Sequence, residues 1–199
     1  MYDIPYFKAS NHQEVLDFMQ AHPFVTICGV DTNGLPVATH IPVLIKIEHD
    51  KIIISGHVMR KQDHSIAFES NKNVLVIFSA PSAFVSANWY TTKNMGSTWN
   101  YQTVHARGAL EMKDEAHLRK LLTDLTLYFE KDPASPTQVS NLSEIYMQQN
   151  MKAIYSFEIV VTQLHHVFKL SQNRDEASHT NIQTELNNSQ GWSKNQMPL

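Results

Sequence analysis

The sequence predicts an α+β protein built on an antiparallel sheet closed into a small barrel, with helices at a few interruptions. Three observations carry that prediction. β-Branched runs follow one another across turn-length gaps, two stretches show apolar residues at helical spacing, and 42% of the 199 residues are apolar. A chain of this length removes about 70% of its unfolded surface from water, so neither disulfides nor a structural metal are required for folding.

Val15, Leu16, Phe18 and Met19 follow Ser10-Asn11-His12-Gln13-Glu14, and a polar cap before helix-spaced apolar positions predicts a short first helix. From Phe24 the period changes. Phe24 to Val30 and Val37 to Ile47 read as two strands of a hairpin about Asp31-Thr32-Asn33-Gly34, because Asn-Gly tolerates positive φ cheaply. Pro36 and Pro42 lack a backbone donor, so the second strand is expected at an edge or a bulge. Lys51 to His57 is the next strand, after a Glu48-His49-Asp50 turn. A helical interval around Gln62 to Ser70 and a strand over Asn73 to Ser79 follow.

Thr103 to Met112 and Ala153 to Thr162 are expected as long strands, and His166 to Leu170 as a shorter one. Between them Leu118, Leu121, Leu122, Leu125 and Phe129 form a helical stripe after Asp114-Glu115, ended by Pro133 and Pro136. Asp175 to Asn188 reads as a last surface helix. The expected organisation is one domain over 1–189 and a flexible polar tail over 190–199.

Sixteen Lys and Arg against nineteen Asp and Glu leave a net charge of −3, which argues against a surface built throughout for nucleic acid or anionic lipid. Only 18% of residues are charged, below the usual quarter, so the chain is neither disordered nor a charged repeat. Cys28 has no intrachain partner and reads as a buried small hydrophobe inside Phe24-Val25-Thr26-Ile27-Cys28. No leader-like segment and no run of about 18 apolar residues is found, so a cytoplasmic protein with no membrane span is expected. Eleven His are scattered, without HExxH or CxxC, and His165-His166 would point to opposite faces of a strand, so no metal site is expected.

Three constellations could carry chemistry. Gly56-His57-Val58-Met59-Arg60-Lys61 joins a strand end to a helix start; it reads either as a phosphate site or as a solvated basic pair. Trp89-Tyr90 and Trp99-Asn100-Tyr101 bracket a polar loop. They read as a surface for a planar heterocycle, whose edge Asn100 would meet, or as buried structural aromatics. Phe168-Lys169-Leu170-Ser171-Gln172-Asn173-Arg174 is dense in donors and reads as ligand contact or as a strand exit with a cap. No G-x-S-x-G supports a hydrolase.

Together these segments resemble the PaiB family of FMN-binding negative transcriptional regulators, relatives of the pyridoxamine-phosphate-oxidase-like split barrels. The matching stretches are Ala38-Thr39-His40-Ile41-Pro42, Gly56-His57 through Arg60-Lys61, Ala80 through Tyr90, Ser97 through Tyr101, Val104 through Gly108, and Phe168 through Arg174, in order between Tyr2 and Leu186. The resemblance implies a homodimer of split β-barrels of mainly antiparallel strands with peripheral helices, holding FMN between subunits. It implies that Arg60 and Lys61 hold the phosphate, that Thr39, His40, Ile41 and Pro42 face the ring edge, and that Trp89, Trp99, Asn100, Lys169, Ser171, Gln172 and Arg174 contribute to covering the cofactor. His57 and Lys169 are candidates for stabilising reduced, anionic flavin. Lys61-Gln62 departs from the smaller residue and Asn that often follow the Arg.

Three functions share that site: a flavin-loaded regulator, an FMN-dependent oxidoreductase using NAD(P)H or another small reductant, and a non-catalytic flavin-binding module. Direct DNA binding has weak support, because no helix-turn-helix pattern is present and the net charge is negative.

Overall fold

Strict alternation of inward and outward residues shapes the first hairpin. β1 (Phe24–Val30) buries Val25 and Ile27 on one face, and β2 (Pro36–Pro42) pairs with it antiparallel from Phe24↔Pro42 to Val30↔Pro36. Asp31 closes the turn by accepting the Asn33 and Leu35 N–H groups, each at 2.8 Å, and Gly34 takes the positive φ of 81° that the turn requires. The structure is a computed structural model and describes residues 1–189; the expected tail at 190–199 lies outside the described residues.

Its contacts group the described residues into two compact units, a larger one of residues 19–77 and 105–164 and a smaller one of the remainder, residues 1–18, 78–104 and the described chain from 165 onward. In the larger unit, β3 (Leu44–Glu48) and β4 (Lys51–Met59) form a second hairpin whose two turn residues, His49 and Asp50, both sit at positive φ, as a two-residue hairpin loop demands. β4 is buried on both faces from Ile52 to Gly56. α2 (Asp63–Ser70), β5 (Asn73–Ser79), β7 (Thr98–Met112), α3 (Glu115–Glu130), α4 (Glu144–Met151) and β8 (Ile154–Lys169) follow, with β6 (Ala83–Val85) preceding β7. The strand order is β2-β1-β5-β7-β8-β4-β3, with β6 added to β7. β2 and β4 also approach each other at Ile41 and Gly56, so this sheet curls back on itself. Gly108 of β7 lies so close to β8 that a Cβ there would come within 2.2 Å of the Val160 carbonyl oxygen.

α3 begins where the acidic pair predicted. Asp114 caps it by accepting the His117 N–H at 2.8 Å, and it ends at Lys131 in the left-handed conformation, ahead of Pro133. Leu118, Leu121 and Leu125 are its buried stripe. In the smaller unit, α1 (His12–Ala21) starts near the N-terminus, and α5 (Glu176–Ser189) packs Ile182 and Leu186 against Ala83, Val85 and Tyr90.

Several expectations need correction. The run read as one strand over Val37 to Ile47 is two. The chain leaves β2 after Pro42, buries Val43 completely, and enters β3 at the opposite end of the strand order. β7 starts at Thr98, which places Trp99-Asn100-Tyr101 on a strand, because Asn100 and Gln102 occupy its inward face where apolar residues usually mark a strand. β8 is one unbroken strand. β6 and α4 were not foreseen; α4 buries only Met147 and Met151 while Ile145 and Tyr146 stay exposed, so it has no clear stripe. Cys28 is half-buried on the outward face of β1.

Candidate functional site

β4 delivers the larger unit's candidates. Its last turn of chain carries His57, Arg60 and Lys61, while strand alternation on β2 sets Thr39 and Ile41 half-buried on one face and leaves His40 exposed on the other. Ile41 reaches Gly56, so β2 meets β4 next to His57, and half-buried Pro42 closes the strand. The His57 ring is largely enclosed, and its Nδ1 is buried without a hydrogen-bond partner among the described residues. Burial alone holds its pKa below the usual 6.5.

Arg60 is fixed by its surroundings. Its N–H donates to the Ala153 carbonyl at 2.8 Å, its Nε to the Ile154 carbonyl at 2.9 Å, and its guanidinium lies 3.7 Å from the Tyr155 ring centroid. Both terminal nitrogens are left without partners among the described residues. Lys61 is exposed and sits at a positive φ of 63°. Asp63 sits at the start of α2 and accepts the His64 N–H at 2.7 Å, so a carboxylate already shares the helix's positive end.

In the smaller unit, the donor-rich stretch after β8 is bound up with its own fold. Lys169 donates to Thr98 Oγ1 and to the Trp99 carbonyl at 2.9 Å. Its ammonium lies 5.9 Å from the Phe7 ring centroid, and burial, then the charge of Arg174, lower its pKa. Ser171, at a φ of 65°, donates to buried Asn100 Oδ1 at 2.7 Å. Gln172 accepts the Leu170 N–H at 2.6 Å and donates to the Phe168 carbonyl. Arg174 stacks 4.3 Å over Tyr90 and contacts Met95 Sδ at 3.3 Å, yet its Nε is buried without a partner among the described residues. Trp89 is half-buried against the α5 core, its carbonyl accepting from Asn181 at 3.1 Å. Trp99 is half exposed, edge-on to Phe84 at 5.7 Å.

The sequence missed Gln102. It is 6% exposed, its Oε1 has no partner among the described residues, and with Ser79, Ser82, Trp99, Tyr101 and Thr103 it lines an open hollow of about 380 Å³. The available signal was its place two residues after Asn100, on the same strand face.

These groups fit FMN chemically. A phosphate ester needs cationic donors that are free, as the Arg60 terminal nitrogens and Lys61 are among the described residues. A flavin ring and its ribityl chain need an aromatic or apolar wall with polar atoms still unmatched; taken each by itself, the larger unit offers His57 Nδ1 and the smaller offers Gln102 Oε1 and the exposed Trp99, neither polar atom having a partner among the described residues. The family model described as "Putative FMN-binding domain" matches residues 1–163. The chain belongs to this FMN-binding family.

A curated relative of this FMN-binding domain, Protease synthase and sporulation protein PAI 2 of Bacillus subtilis (strain 168), is 34% identical over 99% of this chain and 94% of its own. Among solved structures, the FAD and heme binding protein of Mycobacterium smegmatis matches with a TM-score of 0.60 and 17% identity, over 92% of this chain and 80% of its own. The flavocytochrome Anf3 of Azotobacter vinelandii matches with a TM-score of 0.58 and 15% identity, over 90% and 78%. The fold of the FMN-binding domain is thus a split β-barrel of mainly antiparallel strands with peripheral helices, and its cofactor, by its family, is FMN. No helix among the described residues is long and apolar enough to cross a membrane.

His57 gives this FMN-binding domain a pH signature. A depressed folded pKa means that its stabilising contribution is complete above about 6.5 and is lost as pH falls from there through the lowered value. The melting temperature of the cofactor-free protein is expected to fall on acidification from pH 7 to 5. His57→Gln should flatten that slope, and an unchanged slope would remove His57 as a contributor.

Proposed function

We propose that the protein is a PaiB-type negative transcriptional regulator that acts in the cytoplasm as a flavin-loaded homodimer. In this reading Arg60 and Lys61 take the FMN phosphate, while Thr39, Ile41, Pro42 and His57, with His40 at the strand's outer face, meet the ring and ribityl chain. Trp89, Trp99, Asn100, Lys169, Ser171, Gln172 and Arg174 close over the cofactor bound by the partner protomer. The observation that carries the cofactor assignment is Arg60, held by Ile154 and Tyr155 with both terminal nitrogens unmatched among the described residues and followed in the chain by Lys61, which has no partner among them either. The regulatory part is supported by identity over almost the whole length of a relative named for protease synthase and sporulation.

Bound FMN supplies hydride or electron transfer, and the chain supplies position, charge and exclusion of water. The open hollow beside Trp99 favours a second reading, an FMN-dependent oxidoreductase, because it leaves room for another planar molecule against an unmatched acceptor.

The purified protein is expected to carry flavin absorbance, to sediment as a dimer, and to retain a promoter fragment selectively in a salt-dependent way. Steady NAD(P)H consumption without fragment retention would replace the regulator with the oxidoreductase. Retention with no added turnover supports the regulator.

A further inference from the structure

The segment ahead of α1 is tied to β8 by a bond that only a neutral histidine can make. The Ala9 N–H donates to His166 Nε2 at 2.8 Å, so Nε2 must present a lone pair and the ring's proton must reside on Nδ1. Lys8 adds a bond from its ammonium to the His166 carbonyl at 3.3 Å and pairs with Asp3 at 2.9 Å. The segment then lays Phe7, 5% exposed, beneath the Lys169 ammonium.

We propose that residues Tyr2–Ser10 form a proton-released strap, docked across the end of β8 while His166 is neutral and freed when His166 takes up a proton. Protonation replaces the Nε2 lone pair with an N–H that faces the Ala9 N–H, so the bond becomes a repulsion. The groups around the ring set the direction of its titration. Burial disfavours the charged form most. Lys8 on the strap, His12 on α1 and His165 on β8 oppose it further, and only Glu14 on α1 favours it. Phe168, whose ring centroid is 5.4 Å away, adds an apolar wall. The docked state thus holds the His166 pKa below the usual 6.5. Docking is complete above that value and is lost as pH falls through the lowered one. Between the two values the ratio of freed to docked strap rises about tenfold per pH unit. Release takes Phe7 from Lys169.

The test is nuclear magnetic resonance of the ¹⁵N-labelled, FMN-loaded full chain from pH 7.5 to 5, following the Ala9 amide and the His166 ring nitrogens. The expected result is an unprotonated Nε2 at pH 7.5 and loss of the docked Ala9 signal with a midpoint below 6.5. In His166→Gln, whose carbonyl oxygen accepts at every pH, the docked signal should persist throughout. His165→Gln should titrate as the unmodified protein does. A protonated Nε2 at pH 7.5, or Ala9 release at the same pH in His166→Gln as in the unmodified protein, overturns the proposal. Should His166→Gln fail to fold, the ring nitrogens of the unmodified protein decide alone.

Discussion

Replacing both Arg60 and Lys61 with Ala is expected to weaken FMN binding by about 100-fold or more, while riboflavin changes only a few-fold. The two ligands differ by the phosphate, and a charge-assisted bond contributes about 1.5–3 kcal/mol, so losing two reaches that range without touching the ring. The single variants separate two roles. Lys61 has a free ammonium among the described residues, so Lys61→Ala should reduce FMN affinity about tenfold and leave stability unchanged. Arg60→Ala also removes the bond to the Ile154 carbonyl and the stack on Tyr155, so a loss of melting temperature should accompany it. Fluorescence titration with each ligand is the measurement. Equal losses for FMN and riboflavin in Lys61→Ala would move the phosphate elsewhere.

Gly108→Ala is expected to be the most damaging single methyl in the larger unit. The added carbon would lie 2.2 Å from the Val160 carbonyl oxygen and 2.8 Å from Ile159 Cγ2, and the first of these belongs to backbone in the adjoining strand, which has no rotamer to yield. Forced overpacking of this kind costs about 3 kcal/mol, which lowers the melting temperature of a chain this size by about 6–12 °C. Gly96→Ala is the control, because nothing lies within 4 Å of its added carbon. Thermal unfolding of both variants checks the contrast, and a Gly108→Ala protein as stable as Gly96→Ala would contradict the close packing of β7 on β8.

What could be read in the residues beforehand follows from what local sequence encodes. Asp31 to Gly34 announces its hairpin because the turn needs a carboxylate acceptor and a positive φ that few residues supply. The leucine stripe of α3 and its Asp114 cap are equally local. The break at Val43 is hidden, since apolar residues continue across it while the strand's partner changes from β1 to β4. The start of β7 is hidden for the opposite reason, its inward positions being the amides Asn100 and Gln102.

The site divides the same way. Arg60 and Lys61 stand out as adjacent cations, and Trp99 and Asn100 as neighbours of unlike chemistry. Nothing nearby in the chain foretells that Tyr155 would hold Arg60, or that Ser171 would occupy Asn100. Nor could Gln102 be told from any other amide until its surroundings showed an acceptor with nothing to accept.

β4 sets the timing of assembly. It buries both faces, yet one of its neighbours, β8, pairs Val160 with Ile53 and so emerges from the ribosome more than a hundred residues later. Until then three consecutive isoleucines, Ile52 to Ile54, wait with one edge uncovered, and long-range pairing of this kind is slow. Newly made chains therefore pass through an adhesive interval, and yield in a host cell should depend on slower synthesis or on chaperones that shield that ribbon.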